Sequence, residues 1–391
     1  MIKKLLEVCD FQGGTQPPKD EWLSTPREGY IRMLQIRDYT QGEEKFIEYV
    51  LDNGKLHKCT EEDIMLSRYG YIGQAYMGLS GAYNVALVKV IKKEDILTKY
   101  LFYYFRSRYF QYHLTENVGA RATIPGFNKS ELKNAVIDIP SQERQAYIAN
   151  VLSKIDEIIV QRQQELKTYD DLIKARFVEM FGDPETNPKN WEKRPLADVI
   201  TAANNGMARR GNDEDGNIVM RLVELQNGYI DYSKPNRIIL TEAEKKRYLL
   251  KDKDFLFARV NGNPENVGRC AVFYDIGEPV FHNDHIIRVH FDDDDLDGPF
   301  ASALLNSEYG KRQLRNQVKT SAGQYTVSQD GVGAIVAILP PIEIQRQFAA
   351  FVGQVDKSKF AVQKALDKAQ LLFDSLMQKY FGWGKNIWKQ Q

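Results

Sequence analysis

Apolar residues recur with alternating steps of four and three in two long stretches of the chain. The first stretch, which Arg162 and Arg176 interrupt, carries them at Ile148, Leu152, Ile155, Ile159, Leu166, Tyr169, Ile173 and Met180. The second, which Lys359 interrupts, carries them in the same register at Phe348, Val352, Val355, Val362, Leu366, Ala369, Phe373, Leu376 and Tyr380. A sustained period of 3.5 residues is typical of a coiled-coil seam. We therefore expect two long helices, which most simply pack against each other.

The alternative is that each helix packs only on its own globular neighbour. A helix of about 40 residues is about 60 Å long at 1.5 Å per residue, which exceeds the width of a domain of this size. Pairing of the two helices is therefore the favoured interpretation.

Matching landmarks stand at both ends of the two stretches, 200 residues apart. Residues 139–145 (IPSQERQ) correspond to 339–345 (LPPIEIQ), and Phe181-Gly182 corresponds to Phe381-Gly382. Proline is common at the start of a helix and glycine just beyond its end. The chain is thus internally duplicated, and a repeat of this length decides architecture more firmly than a local motif.

The regions before the helices correspond more loosely. The paired landmarks are Arg32 with Arg221, residues 63–68 (DIMLSR) with 254–259 (DFLFAR), and Tyr83-Asn84 with His282-Asn283. Short strand-like runs lie between Gly, Asn and Pro turns, and helix-like segments follow near residues 95–110 and 297–316. Each half is therefore expected to be a mixed α+β domain of about 140 residues that leads into a long helix.

The predicted fold class is α+β, with two globular domains alternating with two long helices. The expected boundaries are 1–139 for the first domain, 140–181 for the first helix, 182–195 for a polar, proline-containing linker, 196–339 for the second domain, 340–381 for the second helix and 382–391 for a tail. Antiparallel helices would place the domains at opposite ends, related by an approximate two-fold axis. Two half-sites on DNA mirror such symmetry, and domains of different sequence would read different bases. This predicts a bipartite, asymmetric target whose spacer is set by the helix length.

Composition excludes several classes of protein. Apolar residues make up 43% and charged residues 27% of the chain, as in soluble globular proteins, and no apolar run is long enough to span a membrane. The first residues reach Glu7 before any apolar stretch forms, so we expect no signal peptide and a cytoplasmic protein. Cys9, Cys59 and Cys270 show no CxxC spacing and are expected to be buried, free thiols.

The charge balance restricts how the chain could bind nucleic acid. It has 53 basic and 53 acidic residues, which argues against a polycationic coat and makes any DNA binding local. Basic residues gather at Lys245, Lys246, Arg247, Lys251, Lys253, Arg259 and Arg269, and again at Lys311, Arg312, Arg315 and Lys319. For each cluster, an ordinary solvated face is an equally good interpretation.

No catalytic motif is recognisable. The nearest match to an adenine methyltransferase motif, residues 183–186 (DPET), lacks the second proline and the aromatic ring, and the sequence contains neither a P-loop nor a Pro-Asp dipeptide. His282, His285 and His290 with Asp284 could suggest a metal, but on a strand His282 and His285 face opposite sides. We therefore expect no catalytic residues, no metal and no cofactor, with an enzyme of unrecognised site as an alternative.

The (I/L)-P-x-x-E-x-Q segments, the helices with Ile155-Asp156 and Val355-Asp356, and the Phe-Gly endings make the chain resemble the specificity subunit of type I restriction-modification enzymes. The resemblance covers nearly the whole chain and is strongest in the helical repeats. It implies that the globular domains are target recognition domains for double-stranded DNA. It also implies that the helices form a spacer that docks DNA adenine methyltransferase subunits, which recruit restriction and translocase subunits. Ser141 departs from the usual second proline.

Residue types suited to reading base edges and binding phosphates cluster in loops that contain glycine. In the first domain the candidate DNA-binding residues are Gln12, Thr15, Arg68, Tyr69, Tyr71, Arg121 and Thr123. In the second they are Arg209, Arg210, Arg259, Asn261, Asn263, Gln324 and Tyr325. For any single residue an ordinary turn or ion pair is an equally good interpretation, so the prediction concerns the loops more than their members.

Apolar residues on the helix faces away from the seam need another surface. They are Tyr147, Ile158, Phe177, Phe351 and Phe360. Docking of methyltransferase subunits on these residues would form a helical bundle, whereas contact with the base of the globular domains is the simpler alternative. A noncatalytic coiled-coil scaffold that never reads DNA is the rival function.

Overall fold

The computed structural model of the protein describes residues 1–41, 46–118, 126–321 and 323–382. The chain divides into two compact units, one formed by residues 1–163 with 364–391 and the other by residues 164–363. The first unit therefore holds the first globular domain, the beginning of the first long helix and the end of the second. The predicted α+β class, with repeated domains alternating with long helices, is confirmed.

The first domain is built from short strands and helices. Its elements are β1 (Ile2–Lys4), α1 (Leu5–Val8), β2 (Cys9–Gly13), β3 (Tyr30–Leu34), α2 (Ile36–Thr40), β4 (Tyr49–Leu51), β5 (Lys58–Cys59), β6 (Met65–Ser67), β7 (Ala75–Tyr76), β8 (Gly81–Tyr83), β9 (Leu87–Lys92), α3 (Thr98–Phe105), α4 (Arg108–Val118) and β10 (Val136–Asp138). The first long helix, α5 (Gln142–Phe181), follows.

Two four-stranded sheets form the body of this domain. One has the order β2-β9-β6-β7 and is antiparallel throughout, and the other has the order β4-β3-β8-β5, in which β3 and β8 are parallel. A third pair, β1 and β10, brings the two ends of the domain together. The core between the first sheet and α3 contains Phe11, Leu66, Val88 and Phe105, each buried. These apolar residues come from strands and a helix far apart in sequence, so the core joins the sheet to the helix.

The second domain repeats this plan. Its elements are β11 (Glu192–Pro195), β12 (Ile200–Asn205), β13 (Asn217–Met220), β14 (Arg237–Ile238), α6 (Glu242–Tyr248), β15 (Phe255–Ala258), β16 (Val260–Asn261), β17 (Cys270–Val272), β18 (Val280–His282), β19 (Ile286–Phe291), α7 (Gly298–Asn306), α8 (Glu308–Gln317), β20 (Lys319–Ser321), β21 (Gln324–Thr326), α9 (Gln329–Gly333) and β22 (Val336–Leu339). The second long helix is α10 (Ile342–Phe381).

The sheet order shows that the duplication extends to the globular domains. The sheet β12-β19-β15-β17 matches β2-β9-β6-β7, the parallel pair β13 and β18 matches β3 and β8, and β11 pairs with β22 as β1 does with β10. The second domain also contains a small sheet, β16-β21-β20. Helices α3 and α4, and α7 and α8, occupy the segments where helix-like runs were predicted.

The register of the parallel strands corrects one landmark. Leu34 lies beside Tyr83 in the first domain, and Met220 lies beside His282 in the second. Arg221 therefore corresponds to Gln35, and the pairing of Arg32 with Arg221 is wrong by three residues. Sequence similarity of the two short strands was too weak to fix their register, which depends on the neighbouring strand.

The long helices pair within each unit. In the first unit, Arg144 near the start of α5 lies over the ring of Tyr380 near the end of α10, with 5.6 Å between the guanidinium and the ring centroid. In the second unit, the ring of Phe348 near the start of α10 meets that of Phe181 at the end of α5, with 5.5 Å between the centroids, and Lys359 of α10 pairs with Asp170 of α5 at 2.6 Å. The start of each helix thus meets the end of the other, and their predicted antiparallel pairing is confirmed. The alternative, in which each helix packs only on its own domain, is wrong.

The glutamine of the repeated IPSQERQ and LPPIEIQ segments has a structural function in both units. The side-chain carbonyl of Gln145 accepts a hydrogen bond from the backbone N–H of Leu97, which precedes α3, at 2.9 Å. Gln345 accepts the equivalent bond from Asp297, which precedes α7, at 3.0 Å. Both glutamines are buried. Each therefore fixes the start of a long helix to the domain beside it.

The predicted linker is shorter than expected and is folded. Residues 192–195 form β11 and pair with β22, so they belong to the second domain. Gly182 has a φ of +79°, which allows the chain to turn at the end of α5. Lys189 then donates to the carbonyls of Glu179 and Met180, and the indole of Trp191 donates to the carbonyl of Phe181. Residues 182–191 thus act as a cap on the helix.

The three cysteines are buried and unpaired, as predicted. No helix in the described ranges is long and apolar enough to cross a membrane. Of the predicted tail, residues 383–391 lie outside the described part of the chain.

Candidate nucleic-acid interface

The predicted loops of the second domain come together around Asp284 and His285. The guanidinium of Arg210 donates to the carboxylate of Asp284 at 2.6 Å and lies 3.3 Å from the ring nitrogen of His285. From the other side, the guanidinium of Arg259 donates to the carbonyl of Asp284 at 3.1 Å. Arg210 and Arg259 are 49 positions apart in sequence, yet both donate hydrogen bonds to Asp284.

Gly206 fixes the first of these loops against the strand below it. A Cβ at this position would stand 2.3 Å from the carbonyl oxygens of both His282 and Asn283, so only glycine allows so close an approach. Gly14 meets Tyr83 and Asn84 in the same way in the first domain. The two loops that carry candidate residues are therefore anchored at equivalent points.

The other two loops of the second domain join in the sheet β16-β21-β20. Asn261 lies opposite Tyr325 in this sheet. Asn261 accepts a bond from the backbone of Asn263, and Asn263 accepts one from the backbone of Glu265. These two amides therefore stabilise the turn, whereas Gln324 at the end of the hairpin is exposed.

Arg209 points to a different element from Arg210. Its guanidinium pairs with Glu244 of α6 at 3.0 Å and also donates to the carbonyl of Ile239. The hydrogen bonds from Arg209 and from the backbone of Thr241 lower the pKa of Glu244 to about 2. Arg209 is therefore paired at the surface with a carboxylate that is ionised at neutral pH.

In the first domain Arg68 occupies the place that Arg259 has in the second. The backbone N–H of Arg68 donates to Ala86, and that of Arg259 donates to His285, at 2.8 Å and 2.7 Å. The side chains differ, because Arg68 donates to the carbonyl of Phe127 at 3.2 Å and to the side chain of Asn128 at 2.5 Å. The same backbone position thus presents its guanidinium to different partners in the two domains.

The loop after Arg68 presents aromatic rings. The guanidinium of Arg68 lies over the ring of Tyr69, 5.4 Å from its centroid. Tyr71, at the end of the loop, is 88% exposed. The hydroxyl of Ser67 donates to the carbonyl of Tyr71 and accepts from the backbone of Gln74, which holds the turn in place. Arg121 and Thr123, predicted for the same surface, lie outside the described residues.

Gln12 and Thr15 lie beside the first-domain loop and are held by the strand below. The hydroxyl of Tyr83 donates to the side chain of Gln12 at 3.0 Å, and the backbone N–H of Thr15 donates to the carbonyl of Tyr83 at 3.0 Å. Between them, a Cβ on Gly13 would lie 3.8 Å from the guanidinium of Arg68. The loops that carry Gln12, Thr15 and Arg68 therefore meet, as their counterparts do in the second domain.

A cavity of about 530 Å³ in the second domain adds residues that the sequence did not single out for binding. It is lined by four cations, Arg209, Arg210, Arg221 and Lys234, and by the amides of Asn212, Asn236 and Asn283. In the sequence, Arg221 is a landmark of the repeat and shows no sign of a binding role. Lys234 and Asn236 carried no recognisable signal, since a lysine and an asparagine beside a proline are ordinary in a turn.

The three histidines considered as metal ligands make separate contacts. His282 is buried and bonds to the carbonyl of Tyr248 at 3.2 Å, His285 contacts Arg210, and His290 pairs with Asp254 at 3.0 Å. Within the described ranges, no group of three histidine, cysteine, aspartate or glutamate side chains is placed to hold a metal ion.

Of the residues predicted to dock partners, Tyr147, Ile158 and Phe360 are exposed, with Phe360 at 72%. Phe351 is half-buried beneath Arg176, whose guanidinium lies 5.7 Å from its ring centroid. These residues leave apolar surface on both long helices.

The prediction for Phe177 is wrong. Its side chain is only 5% exposed, and its ring stacks on Phe300 and meets Phe348 with centroids 5.5 and 5.7 Å apart. The end of α5 is surrounded by the core of the second domain, so a helix face that points away from the seam is buried there. Phe177 cannot offer surface to a partner.

Residues 1–168 and 188–371 match the family described as "Type I restriction modification DNA specificity domain". The chain is 26% identical over 397 residues to the type I restriction enzyme StySPI specificity subunit of Salmonella potsdam, with 94% of this chain and 85% of that protein covered. It is 20% identical over 413 residues to the type I restriction enzyme EcoKI specificity subunit of Escherichia coli K12, with 97% and 88% covered.

Two solved structures share the fold. One is the S subunit of a type I restriction-modification system from M. genitalium, with a TM-score of 0.57, 15% identity and coverage of 97% of this chain and 96% of that chain. The other comes from work on complex assembly and conformational transition of the type I system, with a TM-score of 0.50, 16% identity and 97% of both chains covered. At these identities the likeness concerns the fold alone.

Proposed function

The chain belongs to the family of type I restriction-modification DNA specificity subunits, and we propose that it reads a bipartite, asymmetric DNA target with its two α+β domains. The observation that carries this proposal is the repeated loop framework with different side chains on it. Arg68 and Arg259 share a backbone position but face different groups, and Tyr71 has no aromatic counterpart in residues 260–267. Two domains with equivalent loop backbones but different side chains could bind two half-sites of different base sequence.

The side chains on these loops have the chemistry that base reading requires. Arginine can bond both acceptors on a guanine edge, and asparagine or glutamine can bond both groups on an adenine edge. Arg68, Arg259 and Gln324 supply these types. Lys246 and Arg247 on α6 are exposed and suited to backbone phosphates, which fix the position of a protein on the duplex without reading sequence.

We further propose that the subunit is noncatalytic and that methyltransferase subunits dock on the long helices, with restriction and translocase subunits recruited through them. Exposed apolar side chains recur along α5 and α10 and support this proposal, because a partner's helices could bury them in a bundle. They include Tyr147, Ile158, Val160, Phe360 and Leu371.

The proposal is tested by selecting duplexes from a random pool with the chain co-expressed with a type I methyltransferase subunit, at physiological salt. We expect two short conserved blocks separated by an unconserved spacer of fixed length. If the assembled complex retains DNA but enriches no sequence, the reading function is refuted and the chain is a scaffold. Enrichment of a single block would refute the two-domain reading. Methyl transfer by the isolated chain would refute its noncatalytic role.

A further inference from the structure

The cavity of the second domain is unusual in its charge. Its lining contains Arg209, Arg210, Arg221 and Lys234, and none of the described residues that line it is acidic. Arg209, Arg210 and Arg221 each pair with a carboxylate outside the lining. Lys234 is exposed and has no ion-pair partner among the described residues. Among the described residues, Lys234 is therefore the lining cation without a carboxylate partner, beside a space that the protein leaves open.

The first domain fills the equivalent position with an anion of its own. The backbone carbonyl of Asn236 accepts a hydrogen bond from the backbone N–H of Val219, and the backbone carbonyl of Glu48 accepts the equivalent bond from Met33. Glu48 is therefore the counterpart of Asn236. The Glu48 carboxylate binds Lys19 at 2.7 Å, Arg37 at 2.5 Å and the amide of Gln35 at 2.7 Å. Where the first domain neutralises its cations with a carboxylate, the second has a neutral amide.

The contacts of Glu48 favour its ionised form. Burial alone would raise the pKa of Glu48, but the hydrogen bonds from Lys19 and Gln35 and the charges of Lys19 and Arg37 lower it. In the second domain, Arg221 stands where Gln35 stands in the first. Glu224 pairs with Arg221, so the lining cation left for an anion from outside the protein is Lys234, which lines the cavity together with Asn236.

The size and lining of the cavity indicate which anion fits. A volume of about 530 Å³ is far larger than a bare phosphate and lies within the usual range of about 300–1,000 Å³ for small-molecule sites. A guanidinium group can donate two parallel hydrogen bonds to two oxygens of one phosphate. Val219, Pro235 and Ile238 supply apolar walls, and Asn212, which is exposed, carries an amide suited to a base edge.

We infer that the cavity of the second domain binds the phosphate of a nucleotide, which supplies there the negative charge that Glu48 supplies in the first domain. The phosphate has two sources, the backbone of the target DNA or a free nucleotide. Binding of a DNA phosphate depends on the proposed function, whereas binding of a free nucleotide does not.

The first experiment titrates the full chain with each of the four 5′-deoxynucleoside monophosphates, and with the matching nucleosides, by calorimetry. A free-nucleotide site predicts binding of the monophosphates that weakens about tenfold in Lys234→Gln, the loss expected for a charge-assisted hydrogen bond. Lys234→Arg, which keeps the charge, should retain binding. Lys357→Gln removes an exposed lysine of α10 outside the cavity and should leave it unchanged.

The second experiment replaces the phosphates of the selected duplex by neutral methylphosphonates, one at a time. If the site binds the DNA backbone, one replaced phosphate in a single half-site should weaken DNA binding by the wild-type protein about tenfold. The same replacement should not further weaken DNA binding by the Lys234→Gln variant, because the contact is already lost. Asn236→Glu would supply the carboxylate of the first domain and should abolish the effect in either experiment.

The results separate this inference from the proposed function. If neither the nucleotides nor any methylphosphonate depends on Lys234, the cavity inference is overturned even when a bipartite target is enriched. If no sequence is enriched but the monophosphates bind through Lys234, the reading function fails and the nucleotide site stands.

Discussion

Phe181 meets Phe300 edge to face, with the ring centroids 4.6 Å apart and the planes at 66°. Phe381 meets Tyr100 at the matching position of the first unit, 5.3 Å between centroids. Phe181 ends the helix that follows the first domain, yet it packs in the core of the second. Each core is therefore completed by the end of a helix that begins in the other half of the sequence.

This exchange predicts that Phe181→Ala destabilises the second unit strongly. The side chain is fully buried between Phe300 and Phe348, so its loss should cost about 3–5 kcal/mol of unfolding free energy through lost burial and a cavity. Urea unfolding followed by circular dichroism measures the change. Phe360→Ala, at an exposed position of α10, should stay within about 0.5 kcal/mol. A loss below about 1 kcal/mol for Phe181→Ala would contradict the assigned packing.

Gln345→Ala should destabilise the same unit by about 1–3 kcal/mol, because it leaves one buried and two partly buried backbone groups without these hydrogen bonds. The groups concerned are the N–H of Asp297 and the carbonyls of Asp295 and Pro340. Gln354→Ala removes an exposed glutamine of the same helix and is the matched control. Equal unfolding free energies for the two variants would show that the buried amide contributes no net stability.

The stability of the second unit should depend on His282 between about pH 6.5 and pH 4. Burial, aided by the charge of Arg288, lowers the pKa of His282 to about 4 despite the bond to the Tyr248 carbonyl. Since the unfolded chain binds the proton more readily, this contribution is present above about pH 6.5 and is lost as the pH falls, by up to about 3 kcal/mol at pH 4. His282→Phe should flatten the pH dependence measured by urea unfolding. His113→Gln, in the first unit, should leave that of the second unit unchanged.

Arg68→Ala and Arg259→Ala should each weaken recognition of one half-site only. A bidentate base contact would cost about 1–3 kcal/mol and relax the sequence at that position. Selection from a random pool with each variant measures both effects. Equal losses in both blocks with either variant would mean that these arginines support the complex generally instead of reading bases.

Phe360→Asp should weaken the association of the chain with its methyltransferase subunit. The substitution places a charge on exposed apolar surface of α10 without removing buried contacts. Val223→Asp, at a 63% exposed position of the second domain, is the matched control. Affinity is measured by titration of the purified subunits, and an unchanged value for Phe360→Asp would place the docking surface elsewhere.

The long helices and the duplication could be predicted from sequence because their signals are periodic and repeated. The 3.5-residue stripe leaves Ile155 and Val355 buried at matching positions. Residues 63–68 and 254–259 likewise align in the structure, where Asp63 pairs with Lys89 and Asp254 lies 3.7 Å from Arg288. The same acid-and-base pairing at matching positions is consistent with the sequence similarity of these two segments.

The remaining features depend on contacts that no local pattern encodes. Phe177 occupies an outward position of the helical stripe and is buried only because another domain covers it. The cavity brings Arg209 and Arg221 together with Lys234 through the arrangement of several strands. The substitution of an amide for a carboxylate at Asn236 becomes informative only after the structure shows that Glu48 is its counterpart.

The exchange of helix ends also fixes an order of events during synthesis. Phe373, Met377 and Phe381 belong to the core of the first unit, but they leave the ribosome after all of residues 164–363. The first domain therefore waits with an apolar face uncovered while the entire second unit is translated, and domains otherwise fold as they emerge. A premature stop within α10 would consequently damage the part of the protein that was made first.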